Sequence, residues 1–364
     1  MNIKDCYEEI YDEILEEVKT IINDTNFING EAVTGFEEEF AEFCNVNYAV
    51  GCANGTDALM MTLKALGIGK GDVVVTVPNT FIATSEAISA VGAKIVFVDV
   101  EKETYTMCPK KLVEFLQSEK ADAVIPVHLY GQMANMEEIM EIARTYNLKV
   151  IEDAAQAHGA KFNGKGPGEY GDAATFSFYP GKNLGAFGDA GAIVTNDDRL
   201  AHRVKMLSNH GRTKKYIHEI EGVNSRLDTL QAAILRVKLK YLDQWTERRI
   251  KNANHYDLFL GENHRILVPK IKPNIKHVYH LYVIQIDQRD QLKEYLQQNG
   301  ISTGIHYPLP LHLQPAYHHL SYKQGDFPVA ENLCKHVLSL PMWPELTVDQ
   351  IKIVSNQIKR VKRT

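Results

Sequence analysis

The feature that most constrains the fold is an alternation of short β-rich runs with helical patterns through the first half of the chain. The β-rich runs are Tyr48–Cys52, Val73–Val77, Lys94–Val98, Ala123–Val127, Lys149–Glu152, Ala174–Phe178 and Ala192–Thr195. The helical patterns between several of them are Thr56–Leu66, Thr80–Val91, Pro109–Gln117 and Met136–Tyr146. Strands that alternate with helices predict βαβ units, and therefore an α/β fold with a mostly parallel sheet covered on both faces.

A smaller unit is expected after this sheet. A long helical pattern runs from Leu227 to Phe259 and leads into a part with one clear strand, Leu281–Ile286, followed by a helix, Arg289–Asn299. We place the domain boundary inside the long helix, near Tyr241. The predicted domains are therefore a large one, residues 1–240, which begins with an N-terminal helix, and a small one, residues 241–364.

Composition excludes several classes of protein. The 364 residues include 40 basic and 46 acidic side chains, and 45% are hydrophobic, as in an ordinary soluble globular protein. No apolar run approaches the roughly 20 residues that span a bilayer, and the acidic N-terminus lacks the layout of a signal peptide. The basic run at 359–363 is interpreted as a solvated helix end. Five cysteines without a CxxC pair favour reduced thiols. We expect a cytoplasmic protein with no metal, nucleic-acid or membrane partner.

The stretch of residues 149–189 carries the clearest chemistry. A buried strand ends on an acid, Asp153, and a second apolar strand leads to Lys182 in a glycine-rich loop. The carboxylate is placed to hold a proton on a ring nitrogen, and the lysine could carry a carbonyl as a Schiff base. The two roles belong together in the chemistry of pyridoxal phosphate (PLP), where an Asp pairs with the pyridinium nitrogen and a Lys binds the aldehyde carbon.

Six motifs in order resemble those of the DegT/DnrJ/StrS family of PLP-dependent nucleotide-sugar aminotransferases. They are CANGTDAL, HLYGQ, IEDAAQAHGA, FSFYPGKNLGAFGDAGAIVTND, NSRLDTLQAAIL and HYPLPLH. The resemblance implies a fold-type I PLP-dependent transferase, related to aspartate aminotransferase, with a mostly parallel seven-stranded sheet and a smaller C-terminal α+β domain. It further implies PLP as cofactor, pyridoxamine phosphate between half-reactions, and a homodimer with shared active sites.

The resemblance also implies which residues bind the cofactor. Those residues are Gly55, Thr56, Asp57, Phe81, Asp153, Gln156, Ser177, Lys182 and Asn224. The Gly-Thr stretch and Ser177 would hold the phosphate, and Asn224 would reach the phosphate of the other subunit. Phe81 would lie against the ring, and Gln156 would donate a hydrogen bond to its phenolic oxygen. Lys182 would hold PLP and then move a proton. On pattern alone, residues 54–57 are an N-cap and Phe81 is a core residue.

Four further residues are expected at the substrate, namely Asn183, Arg226, His306 and Tyr307. Arg226 could bind a carboxylate of the amino donor or of an acidic sugar, and a structural salt bridge is an equal alternative. In relatives the HYP stretch meets the sugar nucleotide, although the same pattern describes an ordinary polar loop. His210 is a weaker candidate of the same kind.

The expected reaction moves an amino group from L-glutamate to a nucleotide-linked 3-keto sugar. The product would be a 3-amino sugar for polysaccharide, such as O-antigen, or for a glycoside. GDFPVAENLCKHVLSLPMW resembles enzymes for dTDP-3-keto-6-deoxyhexoses, whereas NGTDAL and GVNSRLDTLQAAIL also resemble enzymes for UDP-2-acetamido-3-keto-hexuronates. We favour the first. A 4-keto sugar, a PLP-dependent sugar dehydratase and a non-catalytic regulator are the remaining alternatives, and an intact Lys182 argues against the last two.

Overall fold

The computed structural model describes residues 5–360, with side chains from Tyr7 onward. The strands in this part of the chain are β1 (Tyr48–Cys52), β2 (Val73–Thr76), β3 (Lys94–Phe97), β4 (Ala123–Val124), β5 (Lys149–Asp153), β6 (Lys161–Phe162), β7 (Ala173–Ser177), β8 (Gly191–Thr195), β9 (Arg212–Lys214), β10 (Ile217–His218), β11 (Ile266–Leu267), β12 (Ile275–Lys276), β13 (Tyr282–Ile286) and β14 (Val337–Leu340).

Helices connect and cover these strands. The α-helices are α1 (Tyr11–Asp24), α2 (Glu31–Phe43), α3 (Gly55–Ala65), α4 (Ala83–Ala90), α5 (Pro109–Leu116), α6 (Met136–Tyr146), α7 (Asp198–Leu207), α8 (Thr229–Leu239), α9 (Leu242–Leu260), α10 (Arg289–Gln298), α11 (Pro328–His336) and α12 (Val348–Arg360). Short 3₁₀ segments are Asp5–Ile10, Leu129–Gly131, Leu311–Leu313 and Pro315–Leu320. The first turn of the predicted N-terminal helix is therefore 3₁₀.

A seven-stranded sheet with the order β1-β8-β7-β5-β4-β2-β3 forms the centre of the molecule. The neighbours from β7 to β3 pair in parallel, and β8 alone runs antiparallel, to both β1 and β7. The predicted α/β fold with a mostly parallel sheet is confirmed. Because β1, β5 and β7 point the same way, their carboxyl ends meet at one edge of the sheet, which is where ligands bind in such folds.

Helix α2 packs an aromatic cluster beneath β7, the strand that leads to Lys182. The ring of Phe40 lies 5.0 Å from that of Phe176 and 5.2 Å from that of Phe178, and Phe36 lies 5.3 Å from Phe178. Edge-to-face ring pairs at these distances add to the stabilisation from burial. The sequence interpretation did not include α2, although Val33, Phe36 and Phe40 recur at helical spacing.

The long helix expected over 227–259 is two helices, α8 and α9, because the chain breaks at Lys240 and Tyr241. The buried apolar side chains of the second half of α9, namely Ala253, Tyr256 and Leu260, join a second core with β13, β14 and α12. A three-stranded sheet, β11-β13-β14, underlies this core. Strand β14 was not predicted. We propose that the α8–α9 break is the boundary between the two domains.

Features outside the sheet bear on the other expectations. No helix in residues 5–360 is long and apolar enough to cross a membrane. Cys44, Cys52 and Cys334 are buried free thiols, whereas the side chain of Cys6 lies outside the described part. Of the basic C-terminal run, Lys359 and Arg360 end α12 and residues 361–363 lie outside the described residues.

Candidate active site

Asp153 ends β5 as a buried carboxylate. One oxygen, Oδ2, accepts a hydrogen bond of 2.7 Å from the hydroxyl of Thr84, and Oδ1 accepts one of 3.2 Å from the backbone N–H of Ala155. The Thr84 hydroxyl lies 3.1 Å from that of Thr80. These bonds fix the carboxylate plane and leave lone pairs for a cationic N–H. The geometry suits the role expected of Asp153.

Lys182 lies in a tight loop just beyond β7, the strand next to β5. Its backbone N–H donates to Tyr179 O at 2.8 Å, and a Cβ at Gly185 would lie only 2.6 Å from Pro180 O, so glycine is required there. Burial lowers the pKa of the Lys182 amine to about 8, and the negative charge of Asp153 opposes that shift. A lysine with this pKa is partly neutral near neutral pH and can act as a nucleophile and a base.

A candidate phosphate cradle lies where α3 begins. The first N–H groups of a helix lack intrahelical partners and attract anions. A Cβ at Gly55 would lie 2.7 Å from Ser177 Cβ, so the missing side chain lets the Ser177 hydroxyl approach the helix start. Thr56 adds a second hydroxyl in the first turn. Gly191, at the start of β8, lies equally close to the start of α3, because a Cβ there would be only 2.5 Å from Asn54 O. Two glycines thus let the neighbouring strands approach the start of this helix.

Asp57 is hydrogen-bonded within the chain through both its backbone and its side chain. Its N–H donates to Asn54 Oδ1 at 2.8 Å as an N-cap bond, and its carboxylate accepts a 2.7 Å bond from Ser225 Oγ. Ser225 Oγ in turn accepts from Ala53 N at 3.3 Å. Because both polar groups of Asp57 are engaged within the chain, we assign it to bracing the cradle rather than to contact with phosphate.

Gln156 points its amide nitrogen into the site. The backbone N–H of Tyr130 donates to Gln156 Oε1 at 2.7 Å, so this oxygen is identified as the acceptor and Nε2 as the donor. Nε2 lies 3.3 Å from the hydroxyl of Tyr307. An outward-facing N–H donor at this place is what an anionic phenolic oxygen requires.

Phe81 and Tyr307 form the aromatic side of the site. Their ring centroids lie 5.9 Å apart, and Phe81 is 54% exposed. An exposed ring beside a polar cleft offers a free face to a flat ligand, and the core reading of Phe81 is excluded. Burial raises the pKa of the Tyr307 hydroxyl, with a further increase from the nearby charge of Asp153. Tyr307 is therefore a neutral hydroxyl close to Asp153 and Gln156.

The loop before α8 holds Asn224 and Arg226. Asn224 is exposed and forms an isolated bridge with Asn209, whose Oδ1 accepts a 3.0 Å bond from Arg226 Nη1. Arg226 Nε is buried with no hydrogen-bond partner among the described residues. No described contact joins either side chain to Lys182 in the same chain. Through Ser225, however, the loop lies against the start of α3.

His306 is near the lysine, and the amide of Asn183 is bonded to other segments of the chain. His306 Nδ1 lies 2.8 Å from Ser339 Oγ, its carbonyl accepts from the Tyr130 hydroxyl, and burial followed by the charge of Lys182 lowers its pKa. The Asn183 amide is buried and both of its ends are bonded within the chain. The amide of Asn183 is therefore engaged within the chain, and its expected contact with a substrate stays a prediction.

Three residues to which the sequence assigned no role also shape the site. Thr84 and Tyr130 orient Asp153 and Gln156, as described above. His128, from HLYGQ, is buried and its Nδ1 accepts from Ala134 N at 3.2 Å, so Nε2 donates to Glu152 Oε2 at 2.9 Å. Such buried partners are invisible in a single sequence, because the pairing depends on strand order rather than on spacing.

The residues present fit PLP. The site combines a buried carboxylate, an amine of lowered pKa, an oriented amide donor, an exposed ring and a helix start with two hydroxyls. Asp153 would hold the ring nitrogen, Gln156 the phenolic oxygen, and Ser177 with the α3 start the phosphate. Lys182 offers the amine that the aldehyde needs. This donor set is electrostatically complementary to PLP, with the acid at the cationic end and N–H groups at the anionic ends.

Relatives support the same conclusion. A Geobacillus stearothermophilus protein named pleiotropic regulatory protein is 46% identical over 100% of this chain and 98% of its own. A dTDP-3-amino-3,6-dideoxy-alpha-D-galactopyranose transaminase of Aneurinibacillus thermoaerophilus is 46% identical over 96% of this chain and 95% of its own. The crystal structure of Streptomyces venezuelae DesV with a ketimine intermediate is 42% identical, has a TM-score of 0.96, and matches 99% of this chain and 98% of that one.

The model of the DegT/DnrJ/EryC1/StrS aminotransferase family matches residues 8–359, which is nearly the whole described chain. Structural agreement at a TM-score of 0.96 confirms the fold-type I architecture implied by the resemblance. Members of this family are PLP-dependent. The protein belongs to the DegT/DnrJ/EryC1/StrS aminotransferase family.

Proposed function

We propose that this protein is a PLP-dependent aminotransferase that transfers an amino group from L-glutamate to a nucleotide-linked 3-keto sugar. The observation that carries the proposal is the amine of Lys182, whose pKa burial lowers to about 8 while Asp153 lies close enough to oppose the shift. An amine and a carboxylate placed in this way serve carbonyl and proton chemistry rather than folding. Buried lysines cost stability, so their presence in a cleft indicates a catalytic use.

PLP, when bound, supplies an electron-poor ring that stabilises negative charge on the carbon next to the amino group. The protein supplies the rest. Asp153 keeps a proton on the ring nitrogen, and Gln156 donates to the phenolic oxygen. Ser177 and the start of α3 bind the phosphate, while Phe81 covers one ring face. Lys182 Nζ, in its neutral form, removes the proton from the donor carbon and later returns one to the sugar carbon.

The sugar is assigned to the dTDP-linked 3-keto-6-deoxyhexoses. Support comes from the sequence motifs and from the 46% identical relative named as a dTDP-3-amino-3,6-dideoxygalactose transaminase. One observation favours a second candidate, a UDP-linked 3-keto-hexuronate, because Arg226 has a buried Nε without a described partner and could bind a carboxylate. Tyr307 and His306 would face the sugar in either case.

A regulator without catalysis is the rival from another class. One 46% identical relative is named as a regulatory protein. A regulator has no use for a lysine whose pKa is lowered or for a Gln156 amide directed into a cleft. A dehydratase of this family would lack the lysine. We therefore retain catalysis for this chain.

The functional unit is proposed to be a homodimer in the cytoplasm, where nucleotide sugars are made. The N-terminal part exposes large apolar side chains, namely Tyr11, Leu15, Ile22, Phe27 and Ile28. Apolar surface of this kind suits burial against a second copy. Asn224, exposed beside the start of α3, would then reach the phosphate of the partner's cofactor.

The sugar assignment predicts the outcome of a half-reaction experiment. Enzyme converted to its pyridoxamine form with L-glutamate is mixed in turn with 3-keto and 4-keto nucleotide sugars. We expect the visible absorption band of the lysine-bound cofactor to return with the 3-keto sugars alone, fastest with the dTDP-6-deoxyhexose. Return with a 4-keto sugar alone would contradict the assigned carbon. If glutamate never bleaches the band, the aminotransferase proposal fails.

The shared site predicts that two inactive variants complement each other. A Lys182→Ala chain can lend its Asn224 to an Asn224→Ala chain, whose own Lys182 is intact. When the two are co-expressed with different tags, half of the dimers are mixed and each has one complete site. Purified mixtures should therefore recover about a quarter of wild-type activity. Recovery no greater than the sum of the separate variants would contradict a site shared between subunits.

A further inference from the structure

Asn183, the neighbour of Lys182, has an amide whose orientation is determined by its partners. Its Nδ2 donates to the carbonyl oxygen of Val278 at 3.0 Å, and a carbonyl can only accept. The other end of the amide, Oδ1, therefore faces His280 Nδ1 at 3.3 Å. Asn183 thus joins the lysine loop by two bonds to one short segment, Val278–Leu281, that precedes β13.

The same logic assigns the tautomer of His280. An amide oxygen only accepts, so the His280 proton resides on Nδ1 and is donated to Asn183. The side chain is 8% exposed. Burial lowers the pKa of His280 well below its ordinary value, and the charge of Lys182 is the next cause. The imidazole is therefore a neutral donor close to the catalytic amine.

The segment Val278–Leu281 also contacts the opposite side of the site. Val278 N donates to Gly131 O at 3.0 Å, and Leu281 N donates to Tyr130 O at 3.2 Å. A Cβ at Gly131 would lie 2.8 Å from Tyr279 N, so only glycine permits this approach. Tyr130 is the residue whose N–H orients Gln156. One segment thus connects the loop that presents Lys182 with the loop that orients Gln156.

We propose that His280 and Asn183 are positioning residues, which hold the Lys182 loop at a set distance from the Asp153–Gln156 side of the site. This inference rests on the proposed function, since it concerns the same lysine. In the proposed reaction, the Lys182 side chain holds the cofactor for part of each cycle and moves a proton as a free amine for the rest. If Asn183 holds the backbone, the Lys182 side chain can move while the loop stays in place. This matters because even a small displacement of a reacting group lowers the reaction rate strongly.

The test uses a pair of variants that differ only in the donor. In His280→Leu the donor is lost at similar volume. In His280→Asn an NH₂ group is retained on Cγ, the atom to which Nδ1 is bonded, so the bond to Asn183 can persist. His277→Leu is the matched control, because His277 is buried immediately before the same segment but its Nδ1 accepts from Tyr279 N instead.

The first readout is amide hydrogen exchange of residues 181–186 in the full-length chain without cofactor. We expect exchange about tenfold faster in His280→Leu, and unchanged in His280→Asn and His277→Leu. Unchanged exchange in His280→Leu would overturn the proposal, as would an equal increase in His277→Leu. This readout requires no transfer activity, so a failure of the proposed sugar reaction leaves it interpretable.

The second readout is the split between kcat and KM in the loaded enzyme. Loss of positioning should lower kcat for L-glutamate about tenfold and change KM less than about twofold, with rescue in His280→Asn. An increase in KM at unchanged kcat would overturn the inference, because it would indicate direct contact with substrate. Asn183→Leu already loses both bonds, so combining it with His280→Leu should be no worse than Asn183→Leu alone.

Discussion

Replacing Lys182 with alanine is expected to lower the transfer rate by about 10⁴-fold, which corresponds to the upper range for a positioned acid–base group. The loss should appear in kcat, because the phosphate cradle and Asp153 remain to hold the cofactor. Stopped-flow measurement of the glutamate half-reaction checks it. A variant that keeps full activity would exclude Lys182 as the catalytic amine.

Two controls separate chemistry from packing. Lys182→Arg retains a long cationic side chain but cannot be neutral in this pH range, so it should be as inactive as the alanine variant. Added methylamine should partly restore Lys182→Ala, because a small neutral amine can enter the space left by the side chain. An active Lys182→Arg variant would mean that charge, and not proton transfer, is what the position supplies.

The pKa of Lys182 predicts the sign of the pH dependence. The amine works in its neutral form, and its pKa of about 8 means that this form is lost as the pH falls below that value. The amine-dependent rate of the wild-type enzyme should therefore decline about tenfold per pH unit below 8. The rescued alanine variant should instead follow the pKa of the added amine. A rescue profile identical to the wild-type profile would assign the titration to another group.

Much of the site was predictable because the chemistry lies at strand ends. Asp153 and Lys182 are separated in sequence, yet one ends β5 and the other lies just beyond β7, and these two strands are adjacent and parallel. Parallel strands direct their carboxyl ends to one edge, so the alternating pattern alone brings these groups together. The phosphate cradle at Gly55 follows β1 for the same reason. The single antiparallel strand, β8, could not be recognised, since direction leaves no trace in a buried apolar run.

The rest depended on contacts between segments that are distant in sequence. Asn183 was expected at the substrate, but Val278 and His280 take up its amide, and no local pattern shows that approach. Thr84 lies within a helical pattern, and nothing in the local sequence indicates that its hydroxyl donates to Asp153 at 2.7 Å. The break at Tyr241 was hidden because α8 and α9 continue the same apolar period. In each case the contact or the helix break depends on tertiary packing, which the local sequence does not determine.

Asp153→Asn is the second variant with a large expected effect, a loss of about 10³-fold in kcat. Asparagine has nearly the same shape, and its amide can still bond Thr84 and Ala155, so the fold should persist. What disappears is the negative charge that keeps a proton on the ring nitrogen. The rate of the glutamate half-reaction checks this. Asp172→Asn is the matched control, because the Asp172 carboxylate likewise accepts a backbone N–H, from Val150 at 2.8 Å, at the other end of β5.

The same variant also predicts the direction in which the pH dependence of the rate shifts. The charge of Asp153 raises the pKa of Lys182 against the effect of burial. Removing that charge should lower the pKa of Lys182 below about 8, so that the neutral amine persists to lower pH. Asp153→Asn should therefore be slow and yet show its pH midpoint shifted downward, as followed by the pH dependence of the glutamate half-reaction. A midpoint that moves upward would contradict an attractive charge of Asp153 on Lys182. A loss of rate that disappears when the two enzymes are compared above both midpoints would show that Asp153 acts on the lysine and not on the ring.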